Sequence, residues 1–392
     1  MKRKTIFAGC LFQILSLAAK TTAPPVPGAE QIDLILHLVD GKRVGLVVNQ
    51  TSVLGNPQRT HLLDTLLARG VEVRKIFAPE HGFRGTAEAG EWVNSHRDAS
   101  TGLPVLSIYG KNKKPSAEQL RGIDLLIFDI QDVGVRFYTY ISTMHYVMEA
   151  CAENNKECIV LDRPNPNDYI DGPMRKEGFE SFVGLDLIPV LHGLTVGELA
   201  QMINGERWLR TNPDRCKLRV VPLKNWSHGD PYLLPVAPSP NLPNHRAVRL
   251  YPSLGWFEAT DVSIGRGTPF PFQVIGYPDR SCGDFSFTPH PMEGMDMNPL
   301  QNGRACFGLD LREYPFEGGL TLRFFLDFYR KTGGKASFFS RPEWFDLLAG
   351  NDELRNSITS GLSEQEIRLC WEKDLKEYKV LRRKYLLYPD ER

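Results

Sequence analysis

Short blocks of consecutive apolar residues alternate, through the first half of the chain, with stretches whose apolar positions recur every three or four residues. Residues 43–49 (R-V-G-L-V-V-N), 71–78, 103–109, 123–130 (I-D-L-L-I-F-D-I) and 157–161 are blocks of the first kind and are predicted strands. Between them, Thr60 is placed to cap a helix carrying Leu62, Leu63, Leu66 and Leu67, ended by Gly70. Residues 140–153 put Tyr140, Met144, Val147, Met148 and Cys151 at helical spacing. Thr195-x-x-Glu198 is a capping box, opening a helix with Leu199, Met202 and Ile203 inward. Near-continuous apolar strands alternating with helices predict a parallel sheet covered on both faces. The fold class is therefore α/β: a Rossmann-like, doubly wound domain over residues 24–225.

The second half has another texture. Residues 235–243 (P-V-A-P-S-P-N-L-P) form a proline-rich crossing, and short segments with Gly and Pro follow. Residues 321–331 predict a helix with Leu322, Phe325, Leu326 and Tyr329 inward, closed by Gly333-Gly334. Ser363-x-x-Glu366 is a second capping box, before a helix burying Ile367, Cys370, Trp371 and Tyr378. Residues 226–392 are expected to form a smaller α+β C-terminal domain that closes over the first.

Composition narrows the function. The chain of 392 residues balances 47 Lys+Arg against 47 Asp+Glu, so no net charge draws it to nucleic acid. Its 42% hydrophobic and 24% charged residues are those of a globular protein. Met1-Lys2-Arg3-Lys4 followed by apolar residues 5–19 reads as a secretory signal within residues 1–23, cleaved between Ala19 and Ala23. The export destination is the periplasm or the medium. A lipoprotein start at Cys10 is disfavoured because too few apolar residues precede it, and no later run is long enough to span a membrane. Cys151, Cys158, Cys216, Cys282, Cys306 and Cys370 remain, sparse enough to read as small buried hydrophobes. No C-x-x-C, H-E-x-x-H, G-x-G-x-x-G, phosphate loop or G-x-S-x-G is present, so neither a metal nor an organic cofactor is expected.

Chemistry-bearing residues follow the predicted strands, at the edge where open α/β sheets bind ligands. Asn49 follows the first strand. P-E-H-G-F-R-G follows the second and sets Glu80, His81 and Arg84 on a glycine-flanked loop; Glu80 suits a general acid or a base, and an ion-paired turn is the plain alternative. D-I-Q-D-V-G-V-R-F-Y leaves the fourth strand with Asp129, Asp132, Arg136 and Tyr138; paired carboxylates can divide acid and base roles. L-D-R-P-N-P brings Asp162, Arg163 and Asn165, suited to sugar hydroxyls or a carboxylate, and His192 precedes the capped helix. From the second half come Asn241 of P-S-P-N-L-P, and Glu258, Asp261 and Arg266 of F-E-A-T-D-V-S-I-G-R-G-T. Folding over the sheet edge, these would complete a site between domains.

These motifs, with H-G-L-T-V-G-E-L-A, stand in the order of one bacterial family. From residue 43 to 388 the chain resembles the NamZ-type exo-β-N-acetylmuramidases, formerly a domain of unknown function. The resemblance implies a Rossmann-like catalytic domain, a smaller C-terminal domain and a site in the cleft between them. It implies release of non-reducing-end N-acetylmuramic acid from peptidoglycan fragments during cell-wall turnover. It also implies that Glu80, the glutamate of P-E-H-G, is catalytic. The residue chemistry agrees. The lactyl carboxylate of that sugar calls for a cation, with Arg136, Arg163 and Arg266 as candidates. Its 2-acetamido group can act as an internal nucleophile oriented by Asp129 or Asp132, or Glu80 and an Asp can form a conventional pair. Two other readings stay open: a muropeptide-binding protein without catalysis, and an amidase or esterase.

Overall fold

The computed structural model describes residues 23–55, 57–83 and 95–391. The expected signal segment, apart from Ala23, and Arg84 lie outside the described residues. The strands are β1 (Val44–Val48), β2 (Val73–Ala78), β3 (His96–Arg97), β4 (Pro104–Ser107), β5 (Leu125–Asp129), β6 (Glu157–Leu161), β7 (Ile170–Met174), β8 (Pro189–His192), β9 (Lys217–Val221), β10 (Val274–Tyr277), β11 (Phe285–Phe287) and β12 (Cys306–Asp310). The helices are α1 (Ile32–Val39), α2 (Leu62–Ala68), α3 (Tyr140–Glu153), α4 (Val196–Gly205), α5 (His245–Leu254), α6 (Arg323–Lys331), α7 (Pro342–Ala349), α8 (Glu353–Thr359) and α9 (Glu364–Arg382).

The large sheet runs β3-β4-β2-β1-β5-β6-β9. All its pairs are parallel except the edge pair β3–β4. Taken in chain order, its parallel strands follow the 3-2-1-4-5-6 sequence of dinucleotide-type folds, with the order reversing between β1 and β5. Alternation along each strand sorts the core. Leu46, Val48, Ile76, Leu125, Ile127 and Ile159 face α1 and α2, while Val47, Phe77, Leu126, Phe128 and Val160 face α3 and α4. Burial on both sides is why these strands read as unbroken apolar runs rather than as alternating ones.

The predicted elements are present with trimmed ends. One cap differs: α2 is capped by His61, whose ring Nδ1 accepts from the Leu63 N–H at 3.1 Å, and not by Thr60. The capping boxes of α4 and α9 form as read, each with both reciprocal bonds. Ile367, Trp371 and Tyr378 of α9 are buried, but Cys370 is exposed, pointing away from the packed face. The second half holds the antiparallel sheet β10-β12-β11 with α5 to α9 around it. One apolar cluster runs from Val47 through α3 and α4 to Trp256, Phe325, Phe345 and Tyr378. The halves are thus joined through a shared core, which fixes the wall each presents to the other. No helix among the described residues is long and apolar enough to cross a membrane.

Candidate active site

Glu80 leaves the C-terminal end of β2 in a turn that the Gly82 N–H closes onto the Pro79 carbonyl at 3.0 Å. His81 takes a left-handed backbone in this turn (φ 66°), a conformation that costs free energy and recurs at functional sites. The Glu80 carboxylate is held from the loop after β4 and from the start of α3. Tyr109, just past β4, donates its hydroxyl to Oε1 at 2.8 Å. Thr139, the residue before α3, donates its hydroxyl to Oε2 at 2.8 Å. Burial, then the charge and the bond of Glu80, lift the Tyr109 hydroxyl well above the usual phenol range, so it stays a donor at all ordinary pH.

This carboxylate lines a cavity of about 510 Å³ between the two halves. Tyr109, Tyr138, Phe182, Tyr251 and Trp344 supply aromatic walls, the kind of surface on which sugar faces pack. Asn241, Glu258 and Arg266 come from the second half. Glu258 is the second cavity carboxylate, and its Oε1 accepts from Arg266 Nη2 at 2.6 Å. Tyr251 feels both carboxylates: burial first, then Glu258, with Glu80 and Asp132 behind, raises its hydroxyl well above normal although Arg266 opposes them. A second cavity of about 760 Å³ shares Glu258, Arg266 and Trp344 with the first and adds Asp261, Asp296 and Arg341.

Of the residues singled out in the sequence, Glu80, His81, Tyr138, Asn241, Glu258 and Arg266 meet in the first cavity, and Asp261 lines the second. The other described ones line neither of these two cavities. Asp129 and Arg163 spend their charges on each other at 2.6 and 2.9 Å, both wholly buried. Arg136 is equally buried and donates to the carbonyls of Pro173, Ile188 and Leu348, tying the first half to α7. Asp162 accepts from Thr195, Gly197 and Tyr388, so it anchors the start of α4 and the C-terminal tail. Burial lifts it to about 7, and Glu198 adds to this against the bonds it accepts.

Asn165 donates to the Leu194 carbonyl, and its amide occupies the space a Cβ would need at Gly134, where φ is +76°. Only glycine fits there, so the loops after β5 and β6 interlock. His192 is buried under the Leu194 N–H, and burial lowers its imidazole to about 3. Asn49 folds back on Thr51 at the switch point. Asp132 accepts from the Gly134 N–H at 2.6 Å in a small separate cavity beside Asn165, and burial raises it to about 7. The strand ends at the switch point are closed largely by polar bonds among Asp129, Arg163, Asp162, Thr195 and Asn165. The open space lies instead over β2, β4 and the start of α3.

Sequence reading missed Tyr109, Thr139, Phe182 and Trp344. Tyr109 could have been found, because it stands at the end of a predicted strand like the residues that were chosen. Thr139 directly precedes a predicted helix, a capping position whose hydroxyl makes no cap bond and turns to Glu80 instead. Phe182 and Trp344 carried no local signal. No group of His, Cys, Asp and Glu among the described residues is arranged to hold a metal ion.

Comparison with known proteins shows the family. The family model described as "Exo-beta-N-acetylmuramidase NamZ, N-terminal" matches residues 44–246, and its C-terminal counterpart matches residues 249–388. The chain is 37% identical to the peptidoglycan beta-N-acetylmuramidase NamZ of Bacillus subtilis strain 168, over 98% of this chain and all of that one. Two crystal structures of DUF1343 family proteins from Bacteroides fragilis NCTC 9343 share the fold. One has a TM-score of 0.86 at 43% identity, covering 94% of this chain and all of that one. The other has a TM-score of 0.81 at 33% identity, covering 93% and 99%.

Proposed function

The chain belongs to the NamZ family of exo-β-N-acetylmuramidases, and from that premise we propose that it hydrolyses the bond to a terminal, non-reducing N-acetylmuramic acid in peptidoglycan fragments, with Glu80 as its proton donor. The observation that carries this reading is the Glu80 carboxylate, fixed by Tyr109 and Thr139 inside an aromatic-walled cavity. Two hydroxyl donors from separate elements set its rotamer before substrate arrives, the preorganisation that positions a reacting group.

Asp129 and Asp132 do not line the cavity, and we take Glu258 across the cleft, held by Arg266, as the second group of the reaction, acting on water or on the sugar's own 2-acetamido group. The shared wall of Glu258, Arg266 and Trp344 makes the second cavity the place for the remainder of the glycan. The basic and apolar leader supports export, which would bring the enzyme to cell-wall material outside the cytoplasm.

The test is to incubate the purified protein with a MurNAc–GlcNAc disaccharide and with a chromogenic β-MurNAc glycoside, and to assay free sugar. Release of N-acetylmuramic acid supports the reading. Tight binding without turnover would make the chain a binding protein, and release of a peptide or acyl product would make it an amidase or esterase.

A further inference from the structure

N-acetylmuramic acid differs from N-acetylglucosamine by a lactyl ether whose carboxylate is charged at neutral pH, so a site that prefers it needs an uncommitted cation. The arginines read for that task are engaged: Arg163 with Asp129, Arg136 with three backbone carbonyls, Arg266 with Glu258. Lys113 lines the same cavity as Glu80. Its Nζ lies 4.5 Å from the centroid of the Phe182 ring, and it makes no ion pair or hydrogen bond among the described residues. Its neighbour Lys114 is the contrast, bound to Glu149 at 3.2 Å and to Glu153 at 2.7 Å. A ring contact attracts an ammonium without consuming its three N–H donors.

Phe182 is itself held: it stacks on Tyr146 at 6.2 Å and packs on Tyr109, 6.1 Å away, the residue that holds Glu80. The ammonium and the acid are therefore set relative to each other through two rings. Resting on the muramidase reading above, we propose that Lys113 is the specificity-determining cation that receives the lactyl carboxylate, with Phe182 as the platform that poises it.

The experiment compares wild type, Lys113→Met and Lys113→Arg on three chromogenic β-glycosides with one leaving group: MurNAc, its lactyl methyl amide, and GlcNAc. Loss of a charge-assisted contact should raise KM for MurNAc about 10- to 100-fold in Lys113→Met, with kcat within about twofold. KM for the amide and for GlcNAc should not move, and Lys113→Arg should recover most of the loss. An equal loss on all three substrates, or an unchanged MurNAc preference, overturns the proposal. Calorimetric binding of free MurNAc against free GlcNAc gives a second readout independent of turnover. If the wild type releases no MurNAc, the muramidase reading fails, yet a MurNAc affinity that Lys113→Met removes still supports the role of Lys113.

Discussion

Tyr109 donates its hydroxyl to Oε1 of Glu80 across 2.8 Å, and the bond links the loop after β4 to the turn after β2. Glu80 thus depends on a residue from another strand for its orientation. Tyr109→Phe is expected to lower kcat roughly 10- to 100-fold, since small misplacement of a reacting group costs that much. Circular dichroism and melting temperature should stay near wild type. A kcat equal to wild type would show that the bond does not position the acid.

Asp129 and Arg163, which the sequence presents as site residues, form a wholly buried pair. Removing one partner strands a charge in the core. Asp129→Asn and Arg163→Met are each expected to destabilise the fold by ~3–5 kcal/mol. Denaturant unfolding measures this, and the protein that remains folded should retain its KM. A variant of normal stability and no activity would return these residues to the site.

His145 lies between Asp186 and Glu149 at 2.8 and 3.3 Å. Burial pulls its imidazole down, but the two carboxylates outweigh burial and lift it to about 9. His228 is lifted likewise to about 9 by Asp168 and Glu198, again against burial. An unfolded imidazole releases its proton near 6.5. The folded state therefore binds more protons between those values, so this contribution is complete below about pH 6.5 and lost as pH rises to about 9. Melting temperature should fall across that window, and His145→Gln should flatten part of the fall. A melting temperature that rises across the window would contradict these assignments.

Arg136 joins Pro173, Ile188 and Leu348, a contact between the halves. Arg136→Met leaves the Pro173 and Leu348 carbonyls without its guanidinium donors, each costing ~1–3 kcal/mol, while Ile188 keeps the Arg175 N–H at 3.2 Å. Strong loss of stability is expected, read by calorimetry. Normal stability with an altered MurNAc preference would instead make Arg136 a substrate clamp.

Much of this was legible from residue patterns because the forces involved are local or periodic. Apolar runs gave the strands, and Thr195 with Glu198 and Ser363 with Glu366 announced their helices through reciprocal bonds only three residues apart. The site was half legible. Glu80, His81, Tyr138, Asn241, Glu258 and Arg266 could be named because strand ends and glycine-rich loops concentrate chemistry. Whether a charged residue faces a cavity or a partner is decided by distant pairing, and the sequence does not display it. Asp129 finds Arg163 across 34 positions, and Arg136 finds Leu348 across 212. Lys113 and Lys114 are adjacent and chemically identical, yet only packing separates one committed to Glu149 and Glu153 from one set over a ring.

The central claim is that Glu80 supplies the proton to the glycosidic oxygen. The direct measurement is the rate of N-acetylmuramic acid release from a MurNAc–GlcNAc disaccharide by wild type and by Glu80→Gln, an isostere that keeps the side chain's size and one of its two acceptors but cannot donate that proton. At least a ~100-fold loss is expected with folding intact and disaccharide binding retained. Release by Glu80→Gln at the wild-type rate would contradict the account.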